Sequence, residues 1–189
     1  MDGSPRPQAA DPDEGFTVSV LARFFKSRGP DPVPLYSALV AAARRPGWYR
    51  QGRVPDTLDG RFDMLAALVS LALIRLERDG TEGNAAATRL TETFVHDMDG
   101  QLREQGVGDV TVGKHIGKMV SALGGRLTAY RAALRTEGEE ELAAALVRNL
   151  YRGNDPGPEA VGYATRALRL AEAGLESRPV AELLMGRIA

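Results

Sequence analysis

From Met64 to Ile74 the chain runs for 11 residues without a single charge. Around that run Phe62, Leu65, Val69, Leu73 and Leu76 recur at three- and four-residue spacing, while Met64, Leu68 and Leu71 fill the opposite side. A helix apolar nearly all round cannot face water and has to be wrapped by its neighbours. The run is too short to cross a bilayer, which takes roughly 20 apolar residues. Ahead of it stands the turn signal Val54-Pro55-Asp56-Thr57, where Asp56 or Thr57 can accept the orphan amide protons of a helix start. These features predict a buried central helix over about 57–78.

The remainder of the chain reads as the wrapping. Pro34 can open a helix that carries Leu35, Leu39 and Val40 and stops before Pro46-Gly47. After a turn at 79–84, Leu90, Phe94, Met98 and Leu102 form a stripe on a helix from about Ala85 to Arg103. Gly106-Val107-Gly108 suits a C-cap, and Asp109 can cap the next helix. In that helix, about 110–136, the apolar residues from Val112 to Leu134 fall in one arc of roughly 100°. Gly113, Gly117 and Gly124 border the arc, which predicts a closely packed neighbour there. Further helices are expected after Glu139, after Pro156 and after Pro179. No stretch alternates as a strand would, so the fold expected is an all-α, single-domain bundle of seven or eight helices without a β-sheet. Residues 1–15 have no apolar periodicity and are expected to form a disordered tail, leaving 16–189 as the domain.

Little catalytic chemistry is on offer. There is no cysteine, and His96 and His115 are the only histidines, so a His/Cys zinc site is ruled out. Glu92 and His96 are spaced i,i+4 rather than as the Glu-x-x-His of a di-iron bundle. No serine sits in a Gly-x-Ser-x-Gly setting. The expectation is a protein that is not an enzyme, with no metal and no cofactor.

Binding surfaces are easier to find, because the near-zero net charge hides uneven faces. Residues 110–136 hold five basic residues and no acid, with Lys114, Lys118, Arg131 and Arg135 opposite the apolar arc. That face can be solvated or can bind. Phe16, Val20, Phe24 and Phe25 with Lys26 form an apolar, basic stripe that either touches a membrane or partner or caps the domain's own core. The Arg44–Arg53 loop interleaves arginine with Trp48 and Tyr49, as single-stranded RNA binding requires, or else those aromatics anchor the loop to the central helix. Arg61 lies in the first turn of the central helix, where the dipole disfavours a cation. It is therefore expected to pair with an acid: Asp97 or Asp99, tying the central helix to the 85–103 helix, or Asp63.

Two extended patterns resemble a known family. The first is Leu35-Tyr36, Ala43-Arg44, Pro46, Tyr49, Val54-Pro55-Asp56-Thr57 and Gly60-Arg61-Phe62. The second is Phe94, Asp97-Met98-Asp99, Leu102-Arg103-Glu104, Gly106-Val107-Gly108-Asp109, Val112, Lys114 and Lys118. In order and separation, over about 35–135, both resemble the ubiquinol–cytochrome c chaperone family. The resemblance implies an assembly factor for respiratory complex III that holds newly made cytochrome b. Mitochondrial members work with a small partner protein near the ribosome, and bacterial members are single-domain. The family brings no catalytic residues. Its motif residues fall here on Asp56, Arg61, Phe62, Asp97, Asp99, Arg103 and Asp109. The partners expected are cytochrome b or another membrane-protein client, with the ribosome or an anionic membrane surface as further contacts. No DNA partner is expected, and a small-molecule substrate is not indicated. The location expected is the cytoplasm, or the inner face of the cytoplasmic membrane. An RNA- or ribosome-binding module using the Arg44–Arg53 loop and the Lys114/Lys118 face is the alternative.

Overall fold

The structure is a computed structural model that describes residues 33–104 and 109–188, with the side chains at 102–104 and 109–116 left aside. The expected tail and the 16–28 stripe lie outside it. Among the described residues there are eight α-helices and no strand. They are α1 (Val33–Ala43), α2 (Pro46–Arg50), α3 (Leu58–Leu76), α4 (Gly80–Glu104), α5 (Asp109–Leu134), α6 (Glu140–Asn149), α7 (Pro158–Glu176) and α8 (Val180–Leu184), with a 3₁₀ turn at Glu77–Asp79. Two of the eight, α2 and α8, are five-residue turns. The all-α expectation holds.

α3 is the axle. Of its 19 residues 14 are buried, and α1, α4, α5 and α7 all pack against it. Thr57 caps it, its hydroxyl oxygen accepting the Gly60 amide at 3.1 Å. The buried Ser70 hydroxyl donates to the Ala66 carbonyl at 2.7 Å, so it adds no unsatisfied polar group to the core. α5 packs on α6 and α6 on α7, so the three follow one another as neighbours. At the C-terminal end of α3, Arg75 donates to the Arg178 carbonyl at 2.9 Å and Arg78 pairs with Glu176 at 2.7 Å, fastening α3 to the end of α7.

Three local expectations change. α4 begins at Gly80, not near Ala85, because the chain reverses within the 3₁₀ turn and a left-handed Gly80 at φ 61°. Gly83 then rests on α3's last turn, where a Cβ would come within 1.9 Å of the Leu76 carbonyl oxygen. The aromatics at 48–49 anchor the loop through α1 as well, while buried Trp48 lines a groove beside Leu68 of the central helix. Trp48 Nε1 donates to the Ala42 carbonyl, which also accepts the Arg45 amide, and Tyr49 Oη to the Ala43 carbonyl, each at 2.9 Å, so both side chains bind carbonyls at the end of α1.

Gly117 and Gly124 have no close neighbour among the described residues: both are exposed, with nothing there within 4 Å of an added Cβ. The buried edge of α5 runs instead through Leu123, Tyr130 and Ala133. Gly117→Ala and Gly124→Ala are each expected to raise stability by about 0.5–1 kcal/mol, through the lower backbone entropy of alanine. A fall in the thermal midpoint of either variant would mean that a neighbour covers that face.

Candidate functional site

Asp63 organises the site. It stands one turn into α3 with 1 % of its surface exposed, and an ionised carboxylate cannot lie that deep without cations. Two arrive from distant parts of the chain. Arg126 of α5 donates to Asp63 Oδ1 at 2.5 Å, and Arg152, just after α6, donates to Asp63 Oδ2 through Nε at 2.5 Å. Arg152 also reaches Asp59 Oδ2 at 2.7 Å. Hydrogen bonding to Asp63 holds its guanidinium pKa above the ordinary arginine value. Its backbone sits at φ 54°, in the left-handed region that costs a side-chain-bearing residue roughly 1 kcal/mol or more. The two carboxylates offset that strain.

The segment behind Arg152 is fixed by its neighbours. Tyr151 Oη donates to the Gly52 carbonyl at 2.5 Å, and Arg53 donates to the Pro156 carbonyl at 3.2 Å. The 51–54 loop and the 151–156 loop are therefore held together at the mouth of the site. Burial raises the Tyr151 phenol to about 12, so it donates at any physiological pH.

Beside this cluster an open groove of about 400 Å³ runs between the start of α3, α4 and α5. Its apolar lining comes from Leu58, Phe62, Met98, Met119 and Ala122, and its polar lining from Asp59, Gln101, Lys118, Arg126 and Arg152. The Phe62 ring lies 5.8 Å from that of buried Phe94 and 5.6 Å below the Arg126 guanidinium. Aromatic packing and a cation–π contact thus fix the floor and the wall together. Leu58 is 53 % exposed at the rim. Methionines adapt their shape to what they touch, which suits a surface that accepts a varied apolar segment.

Asp97 works behind the groove. The Tyr36 hydroxyl donates to its Oδ2 at 2.6 Å and Gln101 Nε2 donates to the same oxygen at 2.9 Å. Burial first, then that bond to a carboxylate, pushes the Tyr36 phenol far above its usual value. Tyr36 thereby ties α1 to α4 through Asp97, which also holds the Gln101 amide.

The expected pairing of Arg61 with Asp97 or Asp99 does not form. Arg61 Nε instead donates to Asp56 Oδ1 at 2.6 Å, on the outside of the cap, and both side chains are mostly exposed. A local partner five residues away meets the dipole conflict without a link to α4. That bond holds the Asp56 carboxyl below its ordinary value. The link between helices that was expected of Arg61 is supplied by Asp63 with Arg126 and Arg152, and by Asp97 with Tyr36.

Of the residues expected to matter, Phe62, Met98 and Lys118 line the groove, with Asp63 packed behind them. Phe94 supports the floor, and Val54 is buried in the core near the α3 cap. Trp48 and Tyr49 are committed to α1, so they offer no stacking platform for bases. Gly106 and Gly108 lie outside the described residues, as do the side chains of Arg103, Asp109 and Lys114. Lys118 is exposed, whereas Arg131 pairs with Glu77, so the basic face of α5 is only partly free. His96 is exposed, and no cluster of metal-ligating side chains occurs among the described residues. Sequence reasoning missed Arg126 and Arg152. The signal was present, since an aspartate at the head of an uncharged core run needs a cation, but spacing could not say which one.

A second, mostly apolar groove of about 510 Å³ lies on another side, between Leu39, Trp48, Tyr163 and the 74 %-exposed Leu170. None of the described helices is long and apolar enough to cross a membrane.

Comparison with known proteins fits this architecture. The chain is similar to a solved structure described as the crystal structure of the Cbp3 homolog from Brucella abortus. The two share 34 % identity and a TM-score of 0.74, over 92 % of this chain and 95 % of that one. A search of curated proteins returned no match. The family model for ubiquinol–cytochrome C chaperones matches residues 50–189, which include every helix that builds the groove. This chain belongs to the ubiquinol–cytochrome c chaperone family.

Proposed function

We propose that this protein is a non-enzymatic chaperone that holds newly made cytochrome b, an apolar membrane client, during assembly of respiratory complex III, at the inner face of the cytoplasmic membrane. The groove between α3, α4 and α5 is the holding site. One observation carries this reading: Phe62, Met98 and Lys118, which stand in the two sequence blocks shared with the family, converge from three helices on one open, apolar groove. A holding site needs apolar area without reactive groups, and this one has a phenylalanine, two methionines and no nucleophile beside a base.

The test is deletion of the gene followed by spectra of membrane b-type haem. The b-type signal is expected to fall, and the wild-type gene to restore it. Ala122→Trp, which fills the groove from a half-exposed position, is expected to weaken client capture by about tenfold and to fail in rescue. An unchanged haem spectrum after deletion would remove the complex III role. Full rescue by a folded Ala122→Trp protein would move the holding site elsewhere.

A further inference from the structure

The groove is apolar, yet cations crowd one edge of it. Lys118 forms no ion pair among the described residues. Arg152 is 45 % exposed, and Arg126 Nε is buried with no hydrogen-bond partner among the described residues. Against these three stand two carboxylates, Asp63 and Asp59, of which Asp63 is buried and Asp59 is held by Arg152. A purely apolar helix laid in this groove would strip water from Lys118 and from the arginine edge and return nothing, which costs free energy. A carboxylate on that helix would offset the loss with a charge-assisted hydrogen bond.

From this charge complementarity we infer that the groove selects an apolar helical segment that carries an acidic side chain, seated against Lys118 at the Arg126–Arg152 edge. This rests on the reading of the groove as the client site and adds the chemistry of the client. Leu58, Phe62 and Met119 take the apolar face of the segment. Lys118 sets the preference, because Arg126 and Arg152 are already engaged with Asp63.

The experiment uses the full chain and two labelled helical peptides of about 18 residues, Leu/Ala/Ser-rich, one with a central Glu and its twin with Gln. Fluorescence anisotropy at low salt is expected to show the Glu peptide binding about tenfold tighter than the Gln peptide. Lys118→Gln should shrink that preference to about threefold or less, and Lys118→Arg should restore it. Lys118 is exposed and forms no ion pair among the described residues, so both variants should keep the wild-type helical signal and melting temperature. Equal binding of the two peptides by the wild type would overturn the acidic preference and leave the groove reading standing. A preference unchanged in Lys118→Gln would place the carboxylate elsewhere and overturn it too. Binding of neither peptide would remove the groove as client site, and this inference with it.

Discussion

Asp63→Ala is expected to lower stability by about 3–5 kcal/mol, a large share of what a domain of this size has to lose. The reason is the partner left behind. Arg126 is only 12 % exposed, and without Asp63 its guanidinium would be buried with no counter-charge. Arg152 would suffer less, because nearly half its side chain reaches solvent and Asp59 remains in contact. The double variant Asp63→Ala/Arg126→Met is therefore expected to recover much of the loss, since it removes the stranded charge as well. Urea unfolding of the wild type, both single variants and the double variant measures the coupling. A loss below about 1 kcal/mol for Asp63→Ala would mean that the carboxylate is not buried between its cations.

Phe94→Ala is expected to cost about 3–5 kcal/mol as well, for a different reason. Phe94 is fully buried on α4 and its ring supports Phe62, the floor of the groove. Truncation leaves a cavity that the helices cannot close, because α3 is held at both ends, by its cap and by Arg75 at the α7 end. Phe62 is then free to drop into the space, which deepens the groove and removes the ring over which Arg126 sits. Binding of both the Glu and the Gln peptide should weaken together, unlike the selective change expected of Lys118→Gln. Phe94→Leu should cost much less, about 1–1.5 kcal/mol. Denaturant melts read alongside peptide anisotropy test this. A Phe94→Ala protein that melts within a degree or two of the wild type would show that Phe94 is not packed in the core.

The chain made its class and its axle plain. The uncharged run at 64–74 admits only a wrapped helix, and it is found wrapped on all sides. The cap at Thr57 was legible because side-chain oxygens at a helix start bond amides a few residues away. The start of α4 was not. Asp79-Gly80 and Gly83-Asn84 look like turn residues, yet the chain reverses at Gly80 and the helix begins there, with Gly83 lying against the Leu76 carbonyl. The glycines of α5 misled for the converse reason, since a glycine in a helix reads as close packing whether or not a neighbour arrives.

Periodicity along the chain thus settled by itself the all-α class and which helix lies at the centre, while the resemblance of two residue blocks pointed to the family. Those properties depend on residues a few positions apart, and such spacing is written directly in sequence. Who pairs with whom was decided only when the helices packed. Asp63 meets cations 63 and 89 residues away, while Arg61 turns back to Asp56. Ion pairs follow distance in space and access to water, and neither is fixed until α5 and the end of α6 have closed over α3.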